Sequence, residues 1–166
     1  MSDALQIAHL FAFEGNPVDA KPYGCGHIND TYCVCCERPG KPQRRYILQR
    51  VNGNVFRDIP SLMENMIRVT DYLRSRVLEL GGNPDRESLT LVPAKDGAPY
   101  YVSPEGAYWR AFIFIENAIT YQTAQRPEDF YYSGCAFGRF QRLLADYPSH
   151  TLHETIPHFH DTASRY

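Results

Sequence analysis

The segment from Ser61 to Leu80 constrains the fold most, because its apolar residues recur at the spacing of one helix face. They are Leu62, Met66, Val69, Leu73, Val77 and Leu80, which follow one another at steps of three and four. Ser61 and Glu64 match a capping box, in which the Ser61 hydroxyl accepts from the Glu64 amide and Glu64 reaches back. Gly81-Gly82 then ends the pattern. The sequence therefore predicts a helix over residues 61–80 with one buried face.

Strand candidates lie on both sides of this helix. They cover residues 18–23, 30–36 and 45–51 before it, and residues 89–93, 100–102 and 108–115 after it. Turns at Asp96-Gly97 and Pro104-Glu105-Gly106 separate the later three, so we expect these strands to form a meander. Pro39-Gly40 and Pro42 predict a loop over residues 37–43.

Two further helices complete the pattern. Residues 3–13 carry apolar side chains at helical spacing and end at Gly15. Pro127 suits the first position of a second helix that runs to about Tyr147. The apolar stripe of that helix consists of Phe130, Gly134, Phe137, Phe140 and Leu144. An antiparallel sheet with one long helix on one face is an α+β layout, and this is the fold class we predict.

The composition argues against two classes of partner. The chain has 166 residues, with 17 basic and 19 acidic side chains and a net charge of −2. Nucleic-acid binding normally needs an excess or a stripe of basic residues, and the sequence has neither. The longest apolar runs, such as residues 111–115, are too short to span a membrane. We expect no nucleic-acid partner and no membrane partner.

Five cysteines indicate the compartment. Four of them fall within PYGCGHINDTYCVCC, residues 22–36. An odd number, crowded into CVCC, argues against a disulfide framework and for a reducing compartment. The first fifteen residues also lack the basic start of a signal peptide. The sequence therefore predicts a cytoplasmic protein.

The same cysteines raise the question of a metal site. Cys33, Cys35 and Cys36, with Cys25 as a fourth ligand, would supply enough sulfur for zinc. Structural zinc prefers paired CxxC knuckles, which CVCC does not provide. In a strand, Cys33 and Cys35 face one side and Cys36 the other. The pattern favours small buried side chains, and a zinc-binding module is kept as an alternative.

Six short strings carry a resemblance to one protein family. They are GHINDTY, YILQRVN, LMENMIRVT, WRAFIFIENAITY, AFGRFQRLLADY and HETIPHFHDT. With them the sequence resembles the bacterial N-acetylhexosamine 1-kinases, phosphotransferases that share the fold of aminoglycoside phosphotransferases and choline kinases. The resemblance spans nearly the whole chain. It implies a protein-kinase-like small lobe over residues 1–116, and the hinge and first helix of an incomplete large lobe over residues 117–166.

This resemblance implies a reaction and its cofactors. In the complete protein that it implies, ATP and Mg²⁺ would serve to transfer the γ-phosphate to the anomeric hydroxyl of an N-acetylhexosamine-like sugar, while no cofactor is assigned to these 166 residues by themselves. The catalytic base and the metal-holding aspartate of this fold come from an HxDxxxxN-like motif and a later hairpin, which residues 1–166 do not reach. Phosphoryl transfer is mostly positioning and charge stabilisation. We therefore expect the 166 residues to be inactive by themselves, with no catalytic and no metal-binding residue among them.

The resemblance assigns phosphate contacts to the turn after the first strand. Gly24 and Gly26 would bring the chain close to the nucleotide phosphates, because residues without a side chain let backbone N–H groups approach oxygen. His27 and Asn29 would point polar groups into the same cleft. From the residues alone, a single GxG is equally consistent with an ordinary turn.

The third strand lacks the lysine that kinase folds place there. Its counterpart is Gln49, a neutral side chain, with Arg50 beside it. Alternation sends the two side chains to opposite faces, so at most one enters the cleft. Glu64 on the long helix would be the partner of this position. It is explained equally well as the second half of a capping box.

The resemblance places the adenine site at the end of the sixth strand. Its candidate residues are Phe114, Ile115 and Glu116. Peptide groups there, next to the hinge Glu116-Asn117, would read the edge of the base. We expect strand alternation to set Phe112 and Phe114 apart from Arg110, so that some side chains line the adenine pocket and others the core.

A second class of function is association without catalysis. The stripe on the helix over residues 127–147 would be uncovered if no further lobe packs on it. An apolar stripe of this size marks an interaction site. Pairing of two copies through this helix would bury the stripe, and a homodimer is therefore the alternative prediction.

Overall fold

The computed structural model describes residues 3–166 and shows an α+β protein, as predicted. The strands are β1 (Asn16–Pro22), β2 (Asp30–Arg38), β3 (Lys41–Arg50), β4 (Leu91–Val92), β5 (Tyr101–Val102) and β6 (Tyr108–Ile113). The helices are α1 (Asp3–Ala8), α2 (Ile59–Glu79), α3 (Pro84–Glu87), α4 (Pro127–Leu143) and α5 (Thr162–Arg165), and a 3₁₀ turn spans Ser149–Thr151.

Helix α2 is the predicted long helix, but a different residue caps it. Asp58 Oδ1 accepts a hydrogen bond from the Ser61 amide at 3.1 Å, and the Ser61 hydroxyl donates to Asp58 Oδ2 at 2.7 Å. Glu64 takes no part in this cap, so the predicted capping box is wrong. The helix begins two residues earlier as a result. Gly81 follows its end with a φ of 71°, a conformation that glycine adopts without strain.

The six strands form one antiparallel sheet in the order β1-β2-β3-β6-β4, with β5 also paired to β6. The predicted meander of the last three strands is wrong, because β4 and β5 each pair with β6, at Phe112 and Trp109 respectively. Between β4 and β5 the chain leaves the sheet. There the Lys95 amide donates a hydrogen bond to the Leu10 carbonyl, and the Ala12 amide donates one to the Pro93 carbonyl.

The connection between β2 and β3 is a tight turn rather than the predicted loop over residues 37–43. β2 continues to Arg38, β3 starts at Lys41, and the two residues between them are Pro39 and Gly40. Gly40 has a φ of 69°, which allows the sharp reversal. Local proline and glycine marked the turn correctly, while the pairing of β2 with β3 decided its length.

The main core lies between α1 and one face of the sheet. Its fully buried members include Ala8, Phe11, Val34, Cys36, Leu48 and Ala111. α1 is shorter than predicted because Phe11 forms a strand-like bridge with Ala94 instead of continuing the helix. Helix α2 packs on the opposite face of the sheet, where Met63 and Met66 contact Arg110 of β6.

Helix α4 packs on α2 only near its end. Leu143 is buried with Leu73 and Val77 of α2, and Leu144 packs beside them. The rest of the predicted stripe is exposed: Phe130 by 73%, Phe137 by 69% and Phe140 by 48% of the side chain's possible surface. The helix ends at Leu143, four residues before the predicted Tyr147.

Glu14 ties the start of β1 to the hairpin of β2 and β3. Its carboxylate pairs with Arg38 at 3.0 Å, with Lys41 at 3.2 Å and with Arg44. The hydrogen bonds from Arg44, Lys41 and Arg38 lower the pKa of Glu14 from 4.5 to about 2. A carboxylate with a lowered pKa stabilises the folded state above its unfolded pKa, and that stabilisation is lost as the pH falls toward the folded value.

Glu14→Gln is expected to lower the unfolding temperature by a constant amount from pH 5 to pH 7. The difference from the parent chain should shrink below pH 4.5 and disappear near pH 2, because Glu14 itself is then protonated. Thermal unfolding followed by circular dichroism across this pH range measures it. Glu37→Gln, on the same hairpin, is the control. A Glu14 difference that persists unchanged at pH 2 would contradict the role of this ion cluster.

Candidate functional site

A cleft on the face of the sheet opposite α1 combines aromatic, aliphatic and charged side chains. We call it the strand cleft, a cavity of about 390 Å³ lined by Tyr23, Ile47, Gln49, Met66, Leu89, Arg110, Phe112, Ile113, Phe114 and Ile115. Its volume lies in the range of small-molecule sites. Three of the candidate residues from the sequence, Gln49, Phe114 and Ile115, meet here.

The pairing of β3 with β6 decides which side chains enter the cleft. Gln49 lies opposite Arg110 and Ile47 opposite Phe112, whereas Leu48 lies opposite Ala111 in the core. Arg110 and Phe112 therefore share one face, and the expectation that alternation separates Arg110 from Phe112 and Phe114 is wrong. Residues two apart in a strand point the same way. Arg110 was consequently missed as a candidate.

Arg110 is a buried cation held mainly by neutral groups. It is only 7% exposed. Its Nε donates to Gln49 Oε1 at 3.1 Å, and its Nη1 lies 3.7 Å from Met66 Sδ and 4.0 Å from Met63 Sδ. Burial lowers the pKa of Arg110 to about 10, so the guanidinium stays charged at neutral pH. This positive charge is the main electrostatic feature of the strand cleft.

Gln49 links Arg110 to the neighbouring strand. Its Nε2 donates to Thr31 Oγ1 at 3.0 Å while its Oε1 accepts from Arg110. Both ends of the amide are thus engaged, and the side chain is fixed in one orientation. Arg50 lies outside the strand cleft, with its Nη1 3.9 Å from Asp30 Oδ2. Of the two residues considered for phosphate contact on this strand, only Gln49 reaches the cleft.

The sequence suggested that Glu64 faces Gln49. In the structure Glu64 instead contacts the C-terminal segment of the chain. It pairs with Arg68 on the same helix, and its Oε2 lies 2.7 Å from His153 Nε2. The hydrogen bond with His153 is the first cause of its lowered pKa. Asn65 beside it exchanges two hydrogen bonds with the backbone of His153, at 2.8 and 2.9 Å. Helix position alone could not reveal a partner 89 residues away.

The glycine turn lies exposed at the edge of the sheet. Gly24 has a φ of 84°, and a Cβ atom built on Gly24 or Gly26 would meet no atom within 4 Å. Open space beside both glycines is compatible with close approach of a ligand to the backbone. Cys25 between them accepts a hydrogen bond from Gln122. The segment that follows β6 therefore reaches back to this turn.

His27 and Asn29 point away from the strand cleft. His27 lines a separate polar cavity of about 570 Å³, together with Arg50, Arg57 and Glu105. Asn29 Oδ1 accepts a hydrogen bond from the Asn52 amide at 3.0 Å, which fixes the end of β3 to the start of β2. The structure thus gives Asn29 a local bonding role and separates both residues from Gln49 and Phe114.

The end of β6 leaves several backbone groups without a hydrogen-bond partner among residues 3–166. The Phe114 amide donates to the Arg45 carbonyl at 3.2 Å, and the Glu116 carbonyl accepts from Arg86. Between them, the Ile115 peptide forms no hydrogen bond with any residue of 3–166. Glu116 pairs with Arg45 through its side chain, so its carboxylate is engaged. If backbone groups of this segment contact the edge of a base, as the resemblance implies, Ile115 would make that contact.

Phe114 forms a half-buried aromatic wall of the cleft, between the exposed Tyr23 and the buried Phe112. The Arg45 guanidinium lies 4.0 Å from its ring centre, and the Tyr23 ring meets it edge-on at 5.3 Å. Tyr23 directly precedes the glycine turn. These contacts bring the turn and the end of β6, which are about ninety residues apart, to the two sides of one opening.

The cysteines do not form a metal site in the part of the chain that the structure describes. No group of three or more His, Cys, Asp or Glu side chains is arranged to hold a metal ion there. Cys36 is fully buried in the core, and Cys33 and Cys35 face the other side of β2, as alternation predicts. Burial raises the pKa of Cys36 to about 11. This thiol behaves as a small apolar side chain.

A larger apolar groove lies between α2 and α4. Its volume is about 820 Å³, and its walls include Val69, Leu73, Leu89, Phe140, Leu143 and Leu152. The groove exceeds the strand cleft in size, so volume does not single out the cleft. The cleft is distinguished by its chemistry, because it alone joins a buried cation to aromatic walls among the cavities described above.

Neither a known protein family nor a membrane-spanning helix is recognised in this chain, over the residues searched. The sequence matches no protein-family model with which it was compared. Over residues 3–166, every helix is too short or too polar to cross a membrane.

Glu64→Gln is expected to loosen residues 149–154 without changing the strand cleft. The variant weakens the contact with His153 and Arg68, so amide hydrogen exchange in residues 149–154 should rise several-fold. Exchange in residues 110–115, at the cleft, should stay the same, and mass spectrometry measures both segments. Glu79→Gln, at the far end of α2, is the control. Faster exchange in residues 110–115 with unchanged exchange in residues 149–154 would instead place Glu64 at the cleft.

Proposed function

We propose that this chain is the nucleotide-binding part of an ATP-dependent sugar kinase, which transfers the γ-phosphate to the anomeric hydroxyl of an N-acetylhexosamine-like sugar. The observation that carries the proposal is the strand cleft, where a buried guanidinium, aromatic walls and an unbonded peptide meet beside a glycine turn. A nucleotide has a flat apolar base and a polyanionic tail, and this cleft offers a complementary surface to each.

The order of elements supports a protein-kinase-like small lobe. A long helix follows the third strand and packs beside it, which is the position from which kinases pair a helix glutamate with a strand lysine. Here Met63 and Met66 of α2 contact Arg110, next to Gln49 of β3. In this proposal residues 1–116 form the small lobe, and residues 117–166 form the hinge and the start of the large lobe.

The described residues match ATP better than they match Mg²⁺. The cleft supplies an apolar wall at Phe114 and Phe112, a peptide at Ile115 and a cation at Arg110. By contrast, residues 3–166 bring no three carboxylate, imidazole or thiol groups together for a metal. The resemblance places the catalytic base and the magnesium-holding aspartate in later motifs, so we assign neither to these residues and propose that the chain binds nucleotide without turning it over.

Each cleft residue has a separate task in this proposal. Phe114 packs on the adenine ring, and the Ile115 peptide reads its edge. Gly24 and Gly26 leave room for the phosphates at the mouth of the cleft. Gln49 orients the guanidinium of Arg110. The sugar would bind against parts of the protein beyond the cleft, as the resemblance implies.

Phe114→Ala is expected to weaken adenosine binding about tenfold, the usual worth of one base stacked on an aromatic ring. Isothermal titration calorimetry with adenosine measures the change. Tyr132→Ala removes an exposed aromatic ring from α4 and serves as the matched control. Absence of adenosine binding to the parent chain, at millimolar ligand, would overturn the nucleotide proposal.

A second function, self-association, is favoured by the exposed face of α4. Phe130 and Phe137, seven residues apart and therefore on one face of α4, are 73% and 69% exposed. Exposed apolar side chains that share a helix face are typical of interaction surfaces. We propose that two copies of the chain cover this face by packing their α4 helices together.

Sedimentation velocity at micromolar concentration is expected to show a dimer for the parent chain and a monomer for Phe137→Ser. The serine removes apolar area from the contact, and the exposed site leaves the monomer fold intact. Val102→Ser, at an exposed position of β5, is the control and should stay dimeric. A parent chain that remains monomeric at the highest soluble concentration would exclude this function.

A further inference from the structure

Arg110 stands out among the arginines near the sheet because its charge has no anionic partner. Arg45 pairs with Glu116, Arg50 lies near Asp30, and Arg44 and Arg38 pair with Glu14. Arg110, although far more buried than these, forms no salt bridge with any carboxylate of residues 3–166. Its contacts are one amide oxygen, two thioether sulfurs and the Phe112 ring, whose centre lies 5.4 Å from the guanidinium carbon.

Such an arrangement costs stability. Burial of a charge is unfavourable unless it is paired and hydrogen-bonded, and the thioether sulfur of methionine is only a weak acceptor. Burial lowers the pKa of Arg110 but leaves it cationic at neutral pH. A methionine of similar length would pack against Met63 and Met66 without this penalty. Contacts with Gln49 and the Phe112 ring offset part of this penalty, but no carboxylate of residues 3–166 neutralises the charge.

The position of Arg110 in the wall of the strand cleft would allow contact with a ligand. Arg110 lines the strand cleft together with Phe112, Phe114 and Leu89, so an anion that enters the cleft reaches the guanidinium in a largely apolar setting. Charge-assisted hydrogen bonds are strongest under those conditions. Residues with strongly perturbed pKa values in clefts are concentrated at functional sites.

Gln49 positions the guanidinium rather than binding the anion. Its two amide atoms are engaged by Thr31 and Arg110. The Thr31–Gln49–Arg110 chain fixes the guanidinium from the Nε side. A lysine at position 49 would instead place a second cation next to Arg110 and repel it. The neutral residue on β3 and the cation on β6 are thus complementary features of one arrangement.

We propose that Arg110 binds the phosphate chain of the ligand in the strand cleft, and supplies from β6 the positive charge that kinase folds supply from β3. The identification of the phosphate chain as that of a nucleotide rests on the proposed function. The anion-binding role of Arg110 does not depend on it, because inorganic tripolyphosphate presents the same groups without a base.

The test compares three variants of the full chain with three probes. Arg110→Met removes the charge, Arg110→Lys keeps it without the guanidinium, and Arg50→Met removes a more exposed arginine from the adjacent strand position. Calorimetric titration with tripolyphosphate, ATP and adenosine at neutral pH gives the affinities. Thermal unfolding without ligand shows whether each variant is folded.

We expect Arg110→Met to weaken tripolyphosphate and ATP binding by about tenfold or more, the worth of one hydrogen bond to a charged group. Adenosine binding should be unchanged. Arg110→Lys should retain part of the ATP affinity, and Arg50→Met should bind all three probes like the parent chain. Arg110→Met should also unfold at a temperature no lower than that of the parent chain, because it removes an unpaired buried charge.

The outcomes separate this inference from the proposed function. If Arg110→Met binds tripolyphosphate and ATP as the parent chain does, or if Arg50→Met is the variant that loses them, Arg110 is not the phosphate-binding cation. Failure of the parent chain to bind tripolyphosphate at all also overturns the inference. If tripolyphosphate binding depends on Arg110 while adenosine does not bind, the anion site stands and the nucleotide assignment falls.

Discussion

Pairing of β3 with β6 is the constraint on which both faces of this protein depend. It places Gln49 beside Arg110, 61 positions later in the chain, on one face, while Leu48 and Ala111 enter the core on the other. A shift of one residue in this register would exchange the two faces. The cavity with the buried cation would then become core, and the core would face solvent. Because Leu48 and Ala111 must be buried on the α1 side, the same register determines that Gln49 and Arg110 face the cleft.

Helix α2 serves the cleft and the C-terminal segment through different faces. Met63 and Met66 cover Arg110 from above the sheet, while Glu64 and Asn65 turn outward and hold residues near His153. One turn of helix thus connects the candidate site with the far end of the chain. This division explains why a carboxylate so close in sequence to the cleft contributes nothing to neutralising Arg110.

The two proposed functions use different parts of the molecule. Nucleotide binding concerns the sheet face that carries Arg110 and Phe114, whereas self-association concerns α4, most of whose aromatic side chains are exposed. The groove between α2 and α4 lies between these regions and contains Leu89, which also lines the strand cleft. Pairing of two chains through α4 would therefore occur next to the cleft rather than across it.

The sequence by itself determined the elements whose signals are local. The periodicity of α2, the turn glycines and the alternation of Cys33, Cys35 and Cys36 each depend on neighbours within a few residues, and the structure agrees with them. The exception is Leu80, predicted in the buried stripe of α2, which lies after the last helical residue and is 59% exposed. Tertiary structure alone decided the pairing of β4 and β5 with β6, the use of Glu64 by His153 and the unpaired charge of Arg110. These features depend on contacts between residues tens of positions apart, where spacing carries no information. Whether a charged side chain has an oppositely charged partner, in particular, depends on which residues the fold brings next to it.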